Sequence, residues 1–509
     1  MVGRLQKELG LNLKLRDFFT SPTIAQLVAI AGTRCKFRFD AIQALDFQDT
    51  YILSHGQKRL WLMDQMEGGS AAYNMTGAWF LYGELDVECL QRAVDATVQR
   101  HEILRTTFEV VSGEPRQRIH DLMRIPIRER DLSQYVDCCE DFEELARQEG
   151  MLPFDLARGP LLRVLFLRLP FDDTGVGRSA LIFTMHHIIS DGWSVGVLIR
   201  ELSQLYGGLS PDFLPVLRIQ YKEYAAWHHA LLSASAGEEG RIYWRSALAG
   251  EFAPLNLPTD FPRPEKMSFN GASLLFRLDR EQTAALRKLS SERNCTLFMT
   301  LMAAIKLLLH SRTGQEEIVV GTPVAGREHP DLENQIGLYL NTLPLRDVVR
   351  GEDPFVNLLD RVRATTMDAF SHQFYPFDRM FEDLGVERDP ARNPLFDVLF
   401  VLQNAVDSDF LLGNLRTEPF MEDALMSKFD LMFDFQDTEE LTGNIEYCTD
   451  LFLPETVALL GQDLVKIIAA VTEDCTWTVD ELCTFLVNEE DKKARAELLQ
   501  AAMAVDEDF

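Results

Sequence analysis

Positive charge is scarce in this chain: 50 Lys and Arg stand against 79 Asp and Glu, a formal net charge of −29. A face that neutralises phosphates needs a basic surplus, so nucleic acid is not expected as a partner. The acidic balance suits amine partners, although net charge speaks to steering and solubility and not to fold. No apolar run is long enough to span a bilayer, and the N-terminus lacks the basic-then-apolar pattern of a secretory signal. No membrane is expected, and the location expected is cytoplasmic. None of the eight cysteines forms a CxxC pair, and no histidine lies at zinc-finger spacing from them. They read as scattered reduced thiols, with no metal expected.

What is present is an ordinary globular composition, 46% hydrophobic and 25% charged, over 509 residues. That length exceeds one small core and favours two or more packed units. Strand candidates include Leu161–Leu167 and Ala180–Met185, rich in β-branched and aromatic residues. Helix candidates include Val87–Arg100, Ser194–Tyr206 and Glu281–Ser291, each with apolar residues at helical spacing. The proline-rich stretch from Leu255 to Pro264 reads as a break between two halves. The mixed order of elements predicts an α/β sandwich in two lobes.

One stretch carries chemistry: Met185-His186-His187-Ile188-Ile189-Ser190-Asp191-Gly192-Trp193-Ser194. A strand runs into it and an amphipathic helix follows. Imidazole is the side chain most easily poised near neutral pH, so paired histidines with a carboxylate four residues on form a candidate acid/base unit. Gly192 would allow a close backbone approach or an unusual dihedral. A His-His pair at a strand end is more often packing or hydrogen bonding, and the spacing to Asp191 alone does not overturn that reading.

The whole string does, because it resembles HHxxxDG, the signature of the condensation domains of non-ribosomal peptide synthetases. Further motifs follow in family order. Ser54-His55-Gly56-Gln57-Lys58-Arg59-Leu60-Trp61 resembles the opening motif, and Arg100-His101-Glu102-Ile103-Leu104-Arg105-Thr106-Thr107-Phe108 the second. Tyr221 to Trp227 resembles the fourth and Ile336-Gly337-Leu338-Tyr339-Leu340-Asn341-Thr342 the fifth. The segments His372 to Asp378 and Arg388 to Leu395 resemble the sixth and seventh. Departures are mild: Gly56 stands where alanine is usual, Phe374 where aspartate is, and Leu340 where valine is. The wording of the first three motifs resembles the subclass that joins an L-configured donor to an L-configured acceptor.

The resemblance implies two chloramphenicol-acetyltransferase-like lobes in a V-shaped pseudo-dimer, with a tunnel between them. It divides the chain into residues 1–33, the C-terminal part of a peptidyl carrier protein lacking the pantetheinylated serine; a linker, 34–49; lobes at 50–220 and 221–475; and a helix with an acidic tail, 476–509. The first segment itself reads as two short helices joined at Ser21-Pro22. The implied reaction is amide formation between a carrier-bound acyl or peptidyl thioester and an amine. Phosphopantetheine would arrive on partner carriers, and the chain itself would bind no cofactor. The implied partners are an upstream donor carrier and a downstream aminoacyl carrier or free amine, around a monomer within a multidomain synthetase. His187 would contact the attacking nitrogen, as base or positioner, and the backbone N–H of Gly192 would help hold the oxyanion. His186 would orient the loop, Asp191 would pair with Arg327, and Trp193 would complete the motif. Whether Asn341 lies on the channel is left open. Tyr221, Tyr224 and Trp227 read as core, Arg100 and Arg105 as structural ion pairs, and His228, His229 and His372 as surface or structural. An epimerization domain fits the opening motif less well. A terminal domain releasing peptide onto a free amine, and an inactive docking platform, stay as alternatives.

Overall fold

The structure, a computed structural model, describes residues 24–33, 41–65, 69–133, 142–170, 177–250, 253–387, 389–404, 410–420 and 426–487. Of the expected helix pair at the start, Ile24–Thr33 is helical and the part before it lies outside the described residues. The C-terminal helix is Val479–Leu486, capped by Thr478, and the acidic end is likewise outside.

Two sheets carry two cores. The five-stranded sheet runs, in spatial order, Arg416–Pro419, Asn74–Tyr82, Arg178–His186, Leu162–Arg168 and Ile127–Asp131, antiparallel except for the last pair. The six-stranded sheet runs Asn341–Val348, Glu317–Val324, Val398–Asn404, Leu431–Asp437, Thr442–Cys448 and Gly271–Arg277. Val398–Asn404 is parallel to both of its neighbours, and the other pairs are antiparallel. A small sheet joins Tyr51–Ile52, Glu114–Ile119 and Thr106–Val111. Strands mixed with helices around two cores give the α/β, two-lobed architecture that the sequence predicts.

Local sequence explains the main elements. The helix Val87–Arg100 buries Leu90, Ala93, Val94, Thr97 and Val98, a stripe at helical spacing, and Asp86 caps it by accepting from the Cys89 N–H at 2.8 Å. The helix Gly192–Tyr206 starts two residues before its expected start because Asp191 caps it. The strand Arg178–His186 is buried over all but its first residue, as a central strand should be. In the second lobe the helix Leu297–Thr313 is buried from Met299 to Leu309 and ends at Gly314 with φ 68°, a left-handed cap. Among the described residues no single helix is long and apolar enough to cross a membrane. One bent pair, Arg280–Glu292 with Leu297–Thr313, passes on length and composition, and its second member is this core helix.

The lobes trade segments. Leu332, Ile336, Leu338, Tyr339, Phe410 and Leu412 come late in the chain but belong to the first core. Tyr221 and Tyr224 of the helix Tyr221–Leu232, beyond residue 220, also pack there. The second core begins at Trp244 and takes in Leu255 and Leu257 from the proline-rich stretch, which has no helix or strand yet is not a free linker. Residues 41–49 have no helix or strand either, and Ile42 is fully buried in the first core. The segment from Leu332 to Tyr339 thus leaves one core to enter the other lobe's edge strand at Asn341.

Candidate active site

The histidine pair sits where the buried strand Arg178–His186 ends. His187 opens a short 3₁₀ turn, His187–Ile189, and the chain then passes through Ser190 to the Asp191 cap. The turn is fastened from two sides. The His187 N–H donates to the Tyr73 carbonyl at 2.7 Å, and the Gln57 Nε2 donates to the Ile188 carbonyl at 3.3 Å. Gln57 is itself fixed by a capping box with Ser54. The opening motif therefore serves to hold this turn. The Ser54 hydroxyl also lies 2.8 Å from the Tyr221 hydroxyl, which donates to the Leu338 carbonyl at 2.6 Å.

Asp191 is the most heavily bonded residue of the string. Its Oδ1 accepts from the Ser194 N–H at 2.8 Å and from Arg327 Nη2 at 3.0 Å, and its Oδ2 accepts from the Tyr339 N–H at 2.9 Å. Both side chains of the ion pair are almost wholly buried, at 2% and 3% exposure. Arg327 further donates to the Ser194 hydroxyl at 2.6 Å and to the Gln335 and Leu332 carbonyls, and it lies 4.1 Å over the Tyr339 ring. Ser194 completes the knot by donating to the Gly337 carbonyl and accepting the Gly337 N–H, at 2.8 and 3.0 Å. The string is thus bolted to the segment that links the lobes. Sequence reading did not single out Ser194, whose two-sided role depends on a segment 143 residues away.

The histidines are different. The His186 Nδ1 accepts the Ile188 N–H at 3.1 Å, which leaves the proton on Nε2, a buried atom with no hydrogen-bond partner among the described residues. The His187 Nδ1 is likewise buried and unpartnered, while part of the residue stays exposed. Burial lowers His186 to about 3, helped by His187 and Lys428. Burial, then the Lys428 ammonium, lowers His187 to about 4, against the opposing pull of Asp191. Both imidazoles are neutral at neutral pH. A group at about 4 is too weak a base to strip an ammonium near 8, so it suits accepting a hydrogen bond from a neutral amine.

The other sequence candidates fall as follows. Gly192 has no left-handed dihedral, so the expectation of an unusual conformation does not hold: it is the first residue of an ordinary helix. Apart from its chain neighbours and its own helix backbone, no atom lies within 4 Å of where its Cβ would be, so the backbone there is open to close approach. Trp193 is 52% exposed and donates from Nε1 to the Glu333 carbonyl at 2.9 Å. Asn341 uses its whole amide: it donates to the Gln373 and Tyr375 carbonyls, each at 2.8 Å, and accepts the Phe377 N–H at 3.0 Å. It also lines a cleft with His55, Arg59, Tyr224, His228, Leu338 and Asp378.

Arg100 binds both Glu201 oxygens at 3.1 Å, and Arg105 stands 3.8 Å from Glu102. His101 meets the same Glu201 at 2.9 Å, which ties the second motif to the helix behind the string. Tyr221 and Tyr224 are buried, and Trp227 packs against their core. His228 is buried against the Phe374 carbonyl, His229 bonds the Leu53 carbonyl, and His372 bonds the Asp368 carbonyl and stacks on Tyr243. Among the described residues no group of three or more His, Cys, Asp or Glu could hold a metal ion.

Comparison with known proteins finds relatives in sequence and in fold. Residues 47–494 match the family described as Condensation domain. Gramicidin S synthase 2 of Brevibacillus brevis is 37% identical over 97% of this chain, and surfactin synthase subunit 1 of Bacillus subtilis (strain 168) is 38% identical over 98%. The chain spans only 11% and 13% of those two proteins. Among solved structures, the X-domain from teicoplanin biosynthesis in complex with OxyB superposes with a TM-score of 0.78 at 27% identity, covering 87% of this chain and 98% of that one. The first condensation domain of the calcium-dependent antibiotic synthetase gives 0.70 at 21% identity, over 85% of this chain and 98% of its own, a likeness of fold.

Proposed function

Because the chain belongs to the condensation-domain family, we propose that it forms an amide bond between a carrier-bound acyl or peptidyl thioester and the amine of an aminoacyl carrier. The observation that carries this reading is the neutral, partly exposed His187, whose buried Nδ1 has no partner among the described residues, held on a turn fastened by the Tyr73 carbonyl and Gln57.

A thioester is already activated and an α-amine near pKa 8 is partly neutral at cellular pH, so the site has to align two partners more than to create a nucleophile. His187 accepts a hydrogen bond from the amine and aims its lone pair at the carbonyl carbon. The N–H of Gly192, at an open helix start, faces the growing oxyanion. Asp191, Arg327 and His186 hold the loop in shape, Trp193 closes its outer side, and Asn341 fixes the cleft wall.

Several finer readings belong with this proposal. Residues 1–33 are the end of a carrier domain and 34–49 its linker. As runs of chain the lobes are 50–220 and 221–475, with 332–339, 410–412 and the strand Arg416–Pro419 returning to the first, and a terminal segment, 476–509, follows. Donor and acceptor are both L-configured. Phosphopantetheine stays on the carriers, and the chain works in the cytoplasm as a monomeric unit of a synthetase. The second reading, a docking platform, draws support from the X-domain, whose structure was solved with OxyB. The intact His187 and Asp191 favour catalysis over it.

The test loads the donor carrier with a peptidyl thioester, adds the chain, and follows masses of the intact proteins. One arm offers an aminoacyl carrier and the other a panel of free amines. Transfer to the carrier is expected. Release onto free amines alone makes the domain a terminal one, and no transfer from folded protein puts the docking platform first.

A further inference from the structure

Lys428 has no role in the steps above, yet its charge acts on both histidines of the string. It lies on the second-lobe segment that leads into the strand Leu431–Asp437. That segment is pinned: the Asn393 Nδ2 donates to the Lys428 carbonyl at 2.6 Å, the Ser427 N–H to the Phe269 carbonyl at 3.0 Å, and the Ser427 hydroxyl to the Phe429 carbonyl at 2.8 Å. From this anchor the side chain reaches the first lobe, where Nζ stands 5.2 Å from the centre of the Tyr73 ring. Tyr73 is the residue whose carbonyl holds the His187 N–H. A lysine Nζ anchored in one lobe therefore sits over the support of the candidate catalytic histidine of the other.

The charges around it come from several elements. Glu446, on the strand Thr442–Cys448, attracts the Lys428 charge and its carboxylate accepts a hydrogen bond from the Lys428 backbone N–H. Arg59, from the helix His55–Asp64, repels it. Asp378, at the start of the helix Phe377–Leu384, and Arg59 act on Tyr73 with opposite sign. His186, His187 and Asp191 complete the set on the string. Burial, the largest influence, lowers the pKa of Lys428 below its ordinary value; Glu446 pulls the other way and Arg59 adds to the lowering.

Resting on the function proposed above, we propose that Lys428 is a positioning residue of the amide-forming step, holding a positive charge that keeps the incoming amine neutral and stabilises the oxyanion. In that step the amine lone pair forms the C–N bond while the carbonyl π pair moves onto oxygen, beside a cation fixed in advance. On collapse the C–S bond breaks, its pair leaves on sulfur, and the proton shed by nitrogen ends on that sulfur. The products are an amide and a free thiol. A nearby cation lowers the pKa of the attacking ammonium, which supplies neutral amine without a strong base, as a histidine at about 4 requires.

The experiment measures single-turnover transfer from a loaded donor carrier to an aminoacyl carrier against pH, for the full chain, Lys428→Met and Lys428→Arg. The expected result for Lys428→Met is a plateau lowered by about 10²-fold and a rising limb displaced upward by about one pH unit. Lys428→Arg should keep the limb in place. If Lys428→Met fails to fold, Lys428→Met/Glu446→Gln removes the opposing charges together and is read for the same displacement. A folded variant lacking the cation that keeps the parent rate and limb overturns the inference, and so does an equal loss in both single variants with the limb unmoved. Parent protein that transfers nothing overturns the family-based reading as well, which separates the two failures.

Discussion

The two ends of the string from His186 to Ser194 are built to opposite rules. At the Asp191 end both carboxylate oxygens, the Ser194 hydroxyl and both terminal nitrogens of Arg327 are bonded within a nearly solvent-free knot. At the histidine end, two buried ring nitrogens have no partner among the described residues. Buried polar atoms are normally satisfied; in the knot only the Arg327 Nε lacks a partner among the described residues, while each histidine of the string leaves a ring nitrogen unused. The bonded end is scaffold that joins the lobes, and the unbonded end keeps hydrogen-bonding capacity unused. Four residues separate the two roles.

The largest effect that would sharpen this contrast is on folding. Asp191→Ala leaves the Arg327 guanidinium buried without its counter-charge and should lower unfolding free energy by roughly 3–5 kcal/mol. Chemical denaturation of Asp191→Ala, Arg327→Ala and the double variant reads it, and the double should cost clearly less than the sum. Additive losses would break the knot into separate contacts.

His187→Ala should do the reverse, with single-turnover transfer falling by about 10²-fold and stability changing by no more than about 1 kcal/mol. Acid separates the ends in a third way. The folded pKa values of His186 and His187, about 3 and about 4, lie below the unfolded value of 6.5, so the unfolded state binds more protons between about 4 and 6.5. Stability contributed by the neutral pair is full above 6.5 and falls as pH drops through that window, by about 3 kcal/mol per pH unit for two protons. His186→Asn/His187→Asn should flatten the acid limb of an unfolding titration by about two protons. An unchanged limb would show that the pair is not held neutral. The smallest effect is expected at Trp193, half exposed with one hydrogen bond to the Glu333 carbonyl. Trp193→Phe should cost under about 1 kcal/mol by denaturant titration.

Much of this was legible in the sequence because it is local. The helix Val87–Arg100 shows its apolar stripe and its Asp86 cap in consecutive residues, and the strand Arg178–His186 shows its apolar run. Asp191 before an apolar-periodic segment is a readable N-cap. The Asp191–Arg327 pair came from resemblance, since no local rule links residues 136 apart. What stayed hidden depends on long-range packing. Ser194 matters because Gly337 is folded onto it, and Lys428 because a second-lobe segment reaches over Tyr73. The dihedral expected at Gly192 did not appear because the Asp191 cap starts a regular helix there. The proline-rich stretch looked like a break, but Leu255 and Leu257 within it are spaced to enter the second core.

The most direct test of the division between scaffold and chemistry is the single-turnover rate of His187→Ala at matched folded fraction, measured between carrier-bound donor and carrier-bound amine. The expected result is a rate lower by about 10²-fold with an unfolding midpoint close to that of the parent. A parent-like rate would contradict it, and would move the chemistry away from the histidine end of the string.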